Sequence, residues 1–328
     1  MSMGTPFENR TKVFNSDAKA IEYAILSHRW IGDTEVSYDE MVDLAKMKKG
    51  ERNEIRERAG YKKILDTCWR AKNDGYKWVW VDTCCIDRRN STKLSEAIIS
   101  MYRWYANAKV CYAYLHDVDG SSFPTNKAKK KYPRSNGWPE WFSRGWTLQE
   151  MIAPRNLQFF NKDWQPIGDK KRLAQTLDTI TGVPVHILTG GLDANRPVDQ
   201  IMSWAANRTT KLDEDRAYSL MGLLGVNMVM MYGEGEEEAF RRLRLEVESK
   251  RWRSLPPRSC YPAAAPEPRI FFITLKFLSY LAVMSSQFLG PCTLISNVIC
   301  TCRPLSPFLS LTLSVLGTVI CRLLSTVN

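Results

Sequence analysis

The chain lacks the motifs by which several common classes of protein are recognised. Its first residues, MSMGTPFENRTKVF, contain no apolar segment of the kind found in a secretory signal, and Ser2 stands where N-myristoylation requires glycine. No G-x-G-x-x-G or G-x-x-x-x-G-K motif occurs, so dinucleotide binding in the Rossmann manner is not supported. We therefore expect a cytoplasmic protein that requires no resident cofactor.

Metal-binding motifs are also lacking, although nine cysteines are present. No two of them are spaced as C-x-x-C, and Cys300 and Cys302 form only a C-x-C pair, so no metal site is predicted. Four cysteines lie in apolar, periodic segments typical of buried thiols: Cys68, Cys84, Cys85 and Cys111. Cys84 is a nucleophile only if its pKa is lowered, and the neighbouring aspartates would raise that pKa.

The net charge of +11 is in the range of nucleic-acid-binding proteins, but the charge is not concentrated in one basic region. Residues 252–328 hold six basic residues and one acidic residue, whereas the first 251 residues mix 40 bases with 34 acids. The run KAKKK at 127–131 is short and lies in a loop rich in proline and serine. We therefore predict no nucleic-acid partner.

The first 160 residues alternate between short apolar runs and longer helical patterns. The apolar runs predict four strands, YAILS at 23–27, KWVWVDTCCID at 77–87, KVCYAYLHDV at 109–118 and NLQFF at 156–160. Helical spacing of apolar residues predicts helices at 38–73, 91–108 and 141–154. This order predicts an α/β fold with a parallel sheet, right-handed crossovers and helices on both faces.

Ligands of such sheets gather beyond the carboxyl ends of the strands, and polar residues concentrate there in this sequence. His116 and Asp117 lie at the end of the third predicted strand. The residues that follow or end the first two strands are Ser27, His28, Arg29, Trp30, Asp82, Cys84 and Asp87. We expect them to line a ligand-binding cleft.

The segment WFSRGWTLQEMIAP at 141–154 places a carboxylate on an aromatic helix face. Glu150 lies four residues after Trp146 and eight after Phe142. Such a glutamate is either neutralised by a partner, for which Arg29 and Arg144 are available, or held in a cleft where it acts chemically. The sequence leaves this choice open.

Composition divides the rest of the chain. Helical patterns from 169 to 250 predict an extension packed on the sheet. Beyond a Pro/Ala-rich linker, residues 270–290 contain one charge and 304–321 contain none, which fits either a membrane hairpin or an aberrant C-terminus. The predicted units are a first domain at 1–165, the extension at 166–251, the linker at 252–269 and the tail at 270–328. Membrane contact is expected only through that tail.

Three segments taken together resemble the fungal heterokaryon incompatibility (HET) domain of the vegetative incompatibility type. They are YAILSHRW with GDTEVSYDEM, WVWVDTCCIDRRNSTKLSEAIISMYRWYANAKVCYAYLHDV, and WFSRGWTLQEMIAP. The resemblance covers about residues 22–250, with Val229 standing where proline is expected. It implies a cytosolic domain that triggers programmed cell death when genetically different fungal cells fuse, through self-association or protein partners.

The HET domain is in turn similar to the TIR domain, which has a flavodoxin-like parallel sheet. ILSHRWIGD resembles the first-strand box of TIR domains, and RGWTLQE resembles a TIR segment in which a glutamate serves in cleaving the nicotinamide glycosidic bond of NAD. The resemblance implies Glu150 as a catalytic residue and NAD as a substrate. Trp30 or Trp146 would stack on the nicotinamide ring, and Arg29 would hold phosphate.

Two classes of function stay open on the sequence. One is an interaction module that starts cell death by self-association or by binding a protein partner. The other is an enzyme that consumes NAD. His28 is interpreted as a hydrogen-bonded loop histidine and not as a general base, because no serine or cysteine nucleophile accompanies it.

Overall fold

The computed structural model of the chain describes residues 22–47, 53–192 and 198–254. Their sheet has the strand order β2-β1-β3-β4-β5, of which the first four positions match the flavodoxin-like order. The strands are β1 (Tyr23–His28), β2 (Trp78–Trp80), β3 (Val110–Tyr114), β4 (Leu157–Phe160) and β5 (Pro166–Asp169). Strands β1 to β4 are parallel, and β5 pairs with β4 in the antiparallel direction. The predicted α/β fold is confirmed.

Helices flank the sheet and continue into the second half of the chain. Those of the first half are α1 (Tyr38–Lys46), α2 (Asn53–Glu57), α3 (Ala59–Asn73), α4 (Asp82–Cys85), α5 (Ser91–Asn107) and α6 (Thr147–Ile152). Short 3-10 helices occupy Gly32–Thr34, Pro133–Ser135 and Glu140–Ser143. The helices of the second half are α7 (Ala174–Thr181), α8 (Val185–Gly190), α9 (Val198–Ala205), α10 (Asp215–Tyr218), α11 (Met221–Leu224) and α12 (Glu236–Ser254).

The sheet is covered on both faces, because alternate residues of a strand point in opposite directions. Tyr23 and Ile25 of β1 belong to a buried cluster that includes residues of α5, α6 and the second half of the chain. Ala24 and Leu26 belong to a second cluster with residues of α1 and α3. The near-continuous apolar sequence of β1 follows from this double burial.

Several elements are shorter than the sequence patterns predict. The second strand ends at Trp80 and the chain turns directly into α4, so Asp82 begins a helix instead of ending a strand. Before the longer α12, the extension consists of short helices, three of which end at glycines with positive φ, Gly182 (71°), Gly191 (92°) and Gly225 (65°). The sheet also includes β5, which lies just beyond the predicted end of the first domain at residue 165.

Membrane association of the tail falls outside what the structure describes. Across residues 22–47, 53–192 and 198–254, no helix combines the length and the apolar character that a membrane crossing needs. Helix α12 ends at Ser254, inside the predicted linker. The rest of the linker and the whole predicted tail at 270–328 lie outside the described residues.

Candidate functional site

Glu150 lies on α6 and faces the carboxyl end of β1. Its Oε2 accepts a hydrogen bond of 2.6 Å from the Ser27 hydroxyl, which itself accepts one of 2.8 Å from the Trp141 indole N–H. The Tyr105 hydroxyl also contacts the carboxyl group. Glu150 is 4% exposed and Ser27 is fully buried. Ser27 and Glu150 are therefore in contact inside the protein and not on an open surface.

The Glu150 carboxyl group is largely protonated at neutral pH. Burial raises its pKa to about 8, with a further rise from the charge of Asp82. The proton of Tyr105 goes to the Leu26 carbonyl oxygen at 2.9 Å, so a protonated Glu150 can donate to the Tyr105 hydroxyl oxygen. Glu150 is therefore a neutral hydrogen-bonding group that joins α6 to β1.

Neither arginine that the sequence offered as a partner neutralises Glu150. Arg29 forms an ion pair with Glu140 at 3.0 Å. Arg144 acts on Glu150 only through its more distant charge, since no ion pair between them is present among the described residues. Of the alternatives that the sequence left open, pairing with Arg29 or Arg144 is not seen among the described residues, and burial leaves little charge on Glu150 for such a pair to balance.

His28 lies between two carboxylates and remains neutral. Its Nε2 is 3.6 Å from Asp82 Oδ1 and 3.9 Å from Glu35 Oε2. Burial, followed by the charge of Lys63, lowers the pKa of His28 well below its usual value. Neither ring nitrogen has a hydrogen-bond partner in the described part of the chain. His28 is the last residue of β1 and not the hydrogen-bonded loop histidine that we expected.

Trp30 and Asp82, which follow the first two strands, are in contact. The Trp30 indole N–H donates to Asp82 Oδ2 at 2.8 Å. The guanidinium carbon of Arg88 lies 4.3 Å from the centre of the Trp30 ring, which is a cation–π contact. One face of Trp30 is therefore covered by a cation that sequence reasoning did not single out.

The helix predicted over 141–154 is interrupted at Gly145. The Gly145 N–H donates to the Thr209 carbonyl oxygen at 2.9 Å, and a Cβ at Gly145 would lie 2.5 Å from the Thr210 side chain. The extension approaches so closely that a larger residue at 145 would force the Thr210 side chain to move, and α6 starts two residues later. Glu150 consequently shares no continuous helix face with Phe142.

Trp146 is directed toward the extension. It is the residue before α6, and its indole N–H donates to Asp215 Oδ2 at 3.2 Å. Asp215 also accepts a hydrogen bond of 3.1 Å from the Tyr232 hydroxyl. Trp146 thus connects the sheet domain to the second half of the chain, and its hydrogen bond was not visible in the sequence.

Two other predicted site residues lie apart from Glu150. Cys84 is buried beside the Val81 carbonyl oxygen, and a hydrogen bond with Cys85 together with burial raises its pKa well above the usual value. This agrees with the expectation that Cys84 is a poor nucleophile. Asp87 pairs with Arg89 at 3.0 Å near the surface.

Sequence reasoning missed two buried cations. Lys63 of α3 forms an ion pair of 2.5 Å with Glu35, and nothing in the sequence distinguishes it from its exposed neighbour Lys62. Arg208 donates to the Arg144 carbonyl oxygen at 2.9 Å and to Thr147 Oγ1 at 3.0 Å. Burial lowers the pKa of Arg208 to about 9. Both cations are buried because segments that are far apart in the sequence pack against each other in the fold.

A cavity of about 390 Å³ is present in the extension and not at Glu150. It is lined by Ala206, Asn207, Arg208, Thr209, Thr210, Asp213, Arg216 and Glu236. Within the described residues no group of three or more His, Cys, Asp or Glu side chains is arranged to hold a metal ion.

The sequence comparisons identify the family to which this α/β domain and its extension belong. The family described as "Heterokaryon incompatibility protein (HET)" matches residues 23–140. Vegetative incompatibility protein HET-E-1 of Podospora anserina is 44% identical over 233 residues, which are 69% of this chain and 16% of that relative. No solved structure matches the chain significantly. The chain belongs to the heterokaryon incompatibility (HET) family.

Proposed function

We propose that this chain acts in vegetative incompatibility in a fungus. Its HET domain would recognise nonself by self-association or by binding a protein partner, and this contact would trigger programmed cell death from the cytoplasm. The observation that carries the proposal is the 44% identity to HET-E-1 over 233 residues. The chain spans 16% of that relative, so the proposal concerns the HET part and not the other parts of HET-E-1.

The burial of Glu150 supports an interaction module over an enzyme. A residue that acts on a substrate must touch it, and Glu150 is only 4% exposed while its hydrogen-bond donor Ser27 is fully buried. The carboxyl group is engaged by neighbours from β1 and α5. A role in holding α6 against the sheet requires no such access.

Inducible expression of the full chain in a fungal host tests this proposal. Expression should kill cells, and light scattering of the purified chain, alone and with host extract, should show assemblies larger than a monomer. Glu150→Gln should kill as well as the wild type, because glutamine keeps a neutral hydrogen-bonding group at this position. Survival of cells that contain the folded wild-type chain would contradict the proposal.

A second candidate function is hydrolysis of NAD with Glu150 as the catalytic residue. It is supported by a buried carboxyl group that has no cationic partner among the described residues and whose pKa is raised to about 8. Water would replace nicotinamide at the ribose carbon and release a proton to solvent. Glu150 would ionise once exposed to water, and its carboxylate would then stabilise the oxocarbenium character of the transition state. This reaction requires α6 or its neighbours to move and expose Glu150.

Incubation of the purified chain with NAD at high protein concentration separates the two functions. An enzyme releases nicotinamide, measured by liquid chromatography, and Glu150→Gln abolishes the release. The matched control is Glu237→Gln, which changes an exposed glutamate on α12. If NAD stays intact with the wild type, or is consumed equally by the Glu150 variant, this second function is excluded.

A further inference from the structure

Two loops of the extension present an apolar patch to solvent. The patch consists of Leu212, between α9 and α10, and of Val229, Met231 and Tyr232, between α11 and α12. These four side chains are 45%, 72%, 53% and 43% exposed, in that order. Together they expose on the order of 400 Å² of surface, a size at which an apolar patch on a monomer is often a binding surface.

Hydrogen bonds connect the two loops that carry the patch. The Met231 N–H donates to the Tyr218 hydroxyl oxygen at 2.8 Å. The Gly233 N–H donates to Glu214 Oε1 at 2.8 Å, and Leu212 lies two residues before Glu214. The backbone beneath the patch is therefore bonded on both sides, and covering these side chains requires a second surface.

Charged groups beside the patch are neutralised within one copy of the chain. Glu234 forms an ion pair of 2.6 Å with Arg242, which also donates to the Val229 carbonyl oxygen at 2.6 Å. Asp215 accepts a hydrogen bond of 3.1 Å from the Tyr232 hydroxyl. Because these groups have partners already, they do not repel an apolar surface of the same composition.

Opposite charges flank the patch at Leu212. Lys211 and Asp213 are both exposed, and neither forms an ion pair within the part of the chain that the structure describes. In a contact with two-fold symmetry, the same surface of each copy faces the other. Facing Leu212 with its own copy would place Lys211 of each chain near Asp213 of the other. The edge of the patch is therefore electrostatically complementary to itself.

We propose that this patch binds a second copy of the chain in a symmetric contact. The inference deepens the proposed function and rests on its self-association, which it locates in the extension. Two patches would bury on the order of 800 Å², less than the roughly 1,200–2,000 Å² of stable complexes. The contact is therefore weak and forms as the protein concentration rises.

Sedimentation velocity of the full chain over a series of concentrations tests the contact. The wild type should form a dimer, and Val229→Asp and Met231→Asp should each weaken it at least about tenfold, because a carboxylate would lose its water there. Val229→Ile keeps an apolar side chain and should dimerise as the wild type does. The matched control Trp69→Asp changes a side chain of α3 that is 68% exposed and should leave the dimer intact.

A charge exchange at the edge of the patch tests the symmetry. Lys211→Glu and Asp213→Lys should each weaken the dimer several-fold, since like charges would then face each other. An equimolar mixture of these two variants should dimerise more tightly than either variant alone, because each copy then meets the opposite charge. Interactions within one copy cannot produce this gain on mixing.

The contact is disproved if the wild type stays a monomer at every concentration, even where a host protein binds it at the patch. Normal dimerisation of Val229→Asp and Met231→Asp, or no gain on mixing the two charge variants, would also overturn it. If the wild type kills fungal cells and these variants dimerise normally, the contact is wrong and the proposed function stands. A dimer that Val229→Asp disrupts, in a chain that does not kill, would support the contact and contradict the proposed function.

Discussion

Two buried carboxyl groups near the end of β1 are satisfied in opposite ways. Glu35 forms an ion pair of 2.5 Å with Lys63 of α3, and the two side chains are 11% and 4% exposed. Glu150 of α6, on the other face of the sheet, contacts the hydroxyl groups of Ser27 and Tyr105 and is largely protonated. The comparison teaches that buried acids can be held by different partners: Glu35 is paired with an ammonium group, whereas the hydroxyl groups beside Glu150 lower its pKa too little to offset the rise that burial causes.

The two arrangements differ in how they respond to mutation. Removing one member of a buried ion pair leaves an unpaired charge, whereas altering a neutral hydrogen bond leaves only a polar group to satisfy. The Glu35 region is therefore expected to be more sensitive to a change of partner than the Glu150 region. The Glu150 region is expected to be more sensitive to pH.

The largest expected effect comes from Lys63→Met. Loss of the ammonium group leaves Glu35 buried without its cation, and the free energy of unfolding should fall by about 3–5 kcal/mol. Urea denaturation followed by circular dichroism measures the change. Lys62→Met, at the adjacent exposed position, should lower stability by less than about 0.5 kcal/mol. Equal losses in the two variants would show that the ion pair does not stabilise this region.

The pH dependence of stability should reveal the neutral state of Glu150. Its pKa is about 8 in the folded chain and lies near 4.5 when exposed, so the folded state holds the extra proton between these values. The contribution of the Glu150 carboxyl group to the free energy of unfolding is fully present below about pH 4.5. This contribution should decline by on the order of 3 kcal/mol as the pH rises from about 5 to about 8.

Denaturation of Glu150→Gln across the same pH range isolates this contribution. The variant cannot ionise at residue 150, so its stability should fall less steeply than that of the wild type. Glu237→Gln, which changes an exposed glutamate, should follow the wild type. Parallel curves for the wild type and the Glu150 variant would mean that Glu150 is already ionised in the folded chain.

A smaller effect is expected from Ser27→Ala. The change removes the donor to Glu150 and leaves the buried Trp141 indole N–H without its acceptor, at a cost of about 1–3 kcal/mol. Denaturation near pH 6, where Glu150 is protonated, measures this cost. Ser203→Ala, on the exposed side of α9, should change stability by less than about 0.5 kcal/mol. A neutral effect of Ser27→Ala would show that the serine does not connect the two layers.

The parallel core could be predicted because its strands carry a local signal. YAILS, KVCYAY and NLQFF are apolar on both faces, which is what a doubly covered sheet requires. Strand β5 was missed because PIGD has almost no apolar pattern and owes its conformation to pairing with β4. The predicted continuity of the helix over 141–154 was wrong, since contact with the extension at Gly145 outweighs the local helical spacing.

From the sequence, the location of the candidate site in the fold could be predicted, but not the burial or charge of its residues. The rule that polar residues gather at the carboxyl ends of parallel strands grouped Trp30 with Asp82, which are hydrogen-bonded, but it did not include Glu150, which lies on a helix and contacts Ser27. The rule does not say which of these groups are buried or charged. Lys63 and Arg208 carry no sequence signal, because the same residue types also occupy exposed positions nearby.

The sequence by itself determined the α/β class, the order of the first four strands along the chain and the resemblance to the HET family. These properties depend on local apolar patterns and on motif order, which need no knowledge of distant contacts. Only the tertiary structure decided that Glu150 is protonated, that Arg29 pairs with Glu140 and that Arg144 lacks an acceptor among the described residues. Burial and charge partners are set by segments far apart in the sequence, and the ionisation of each group follows from them.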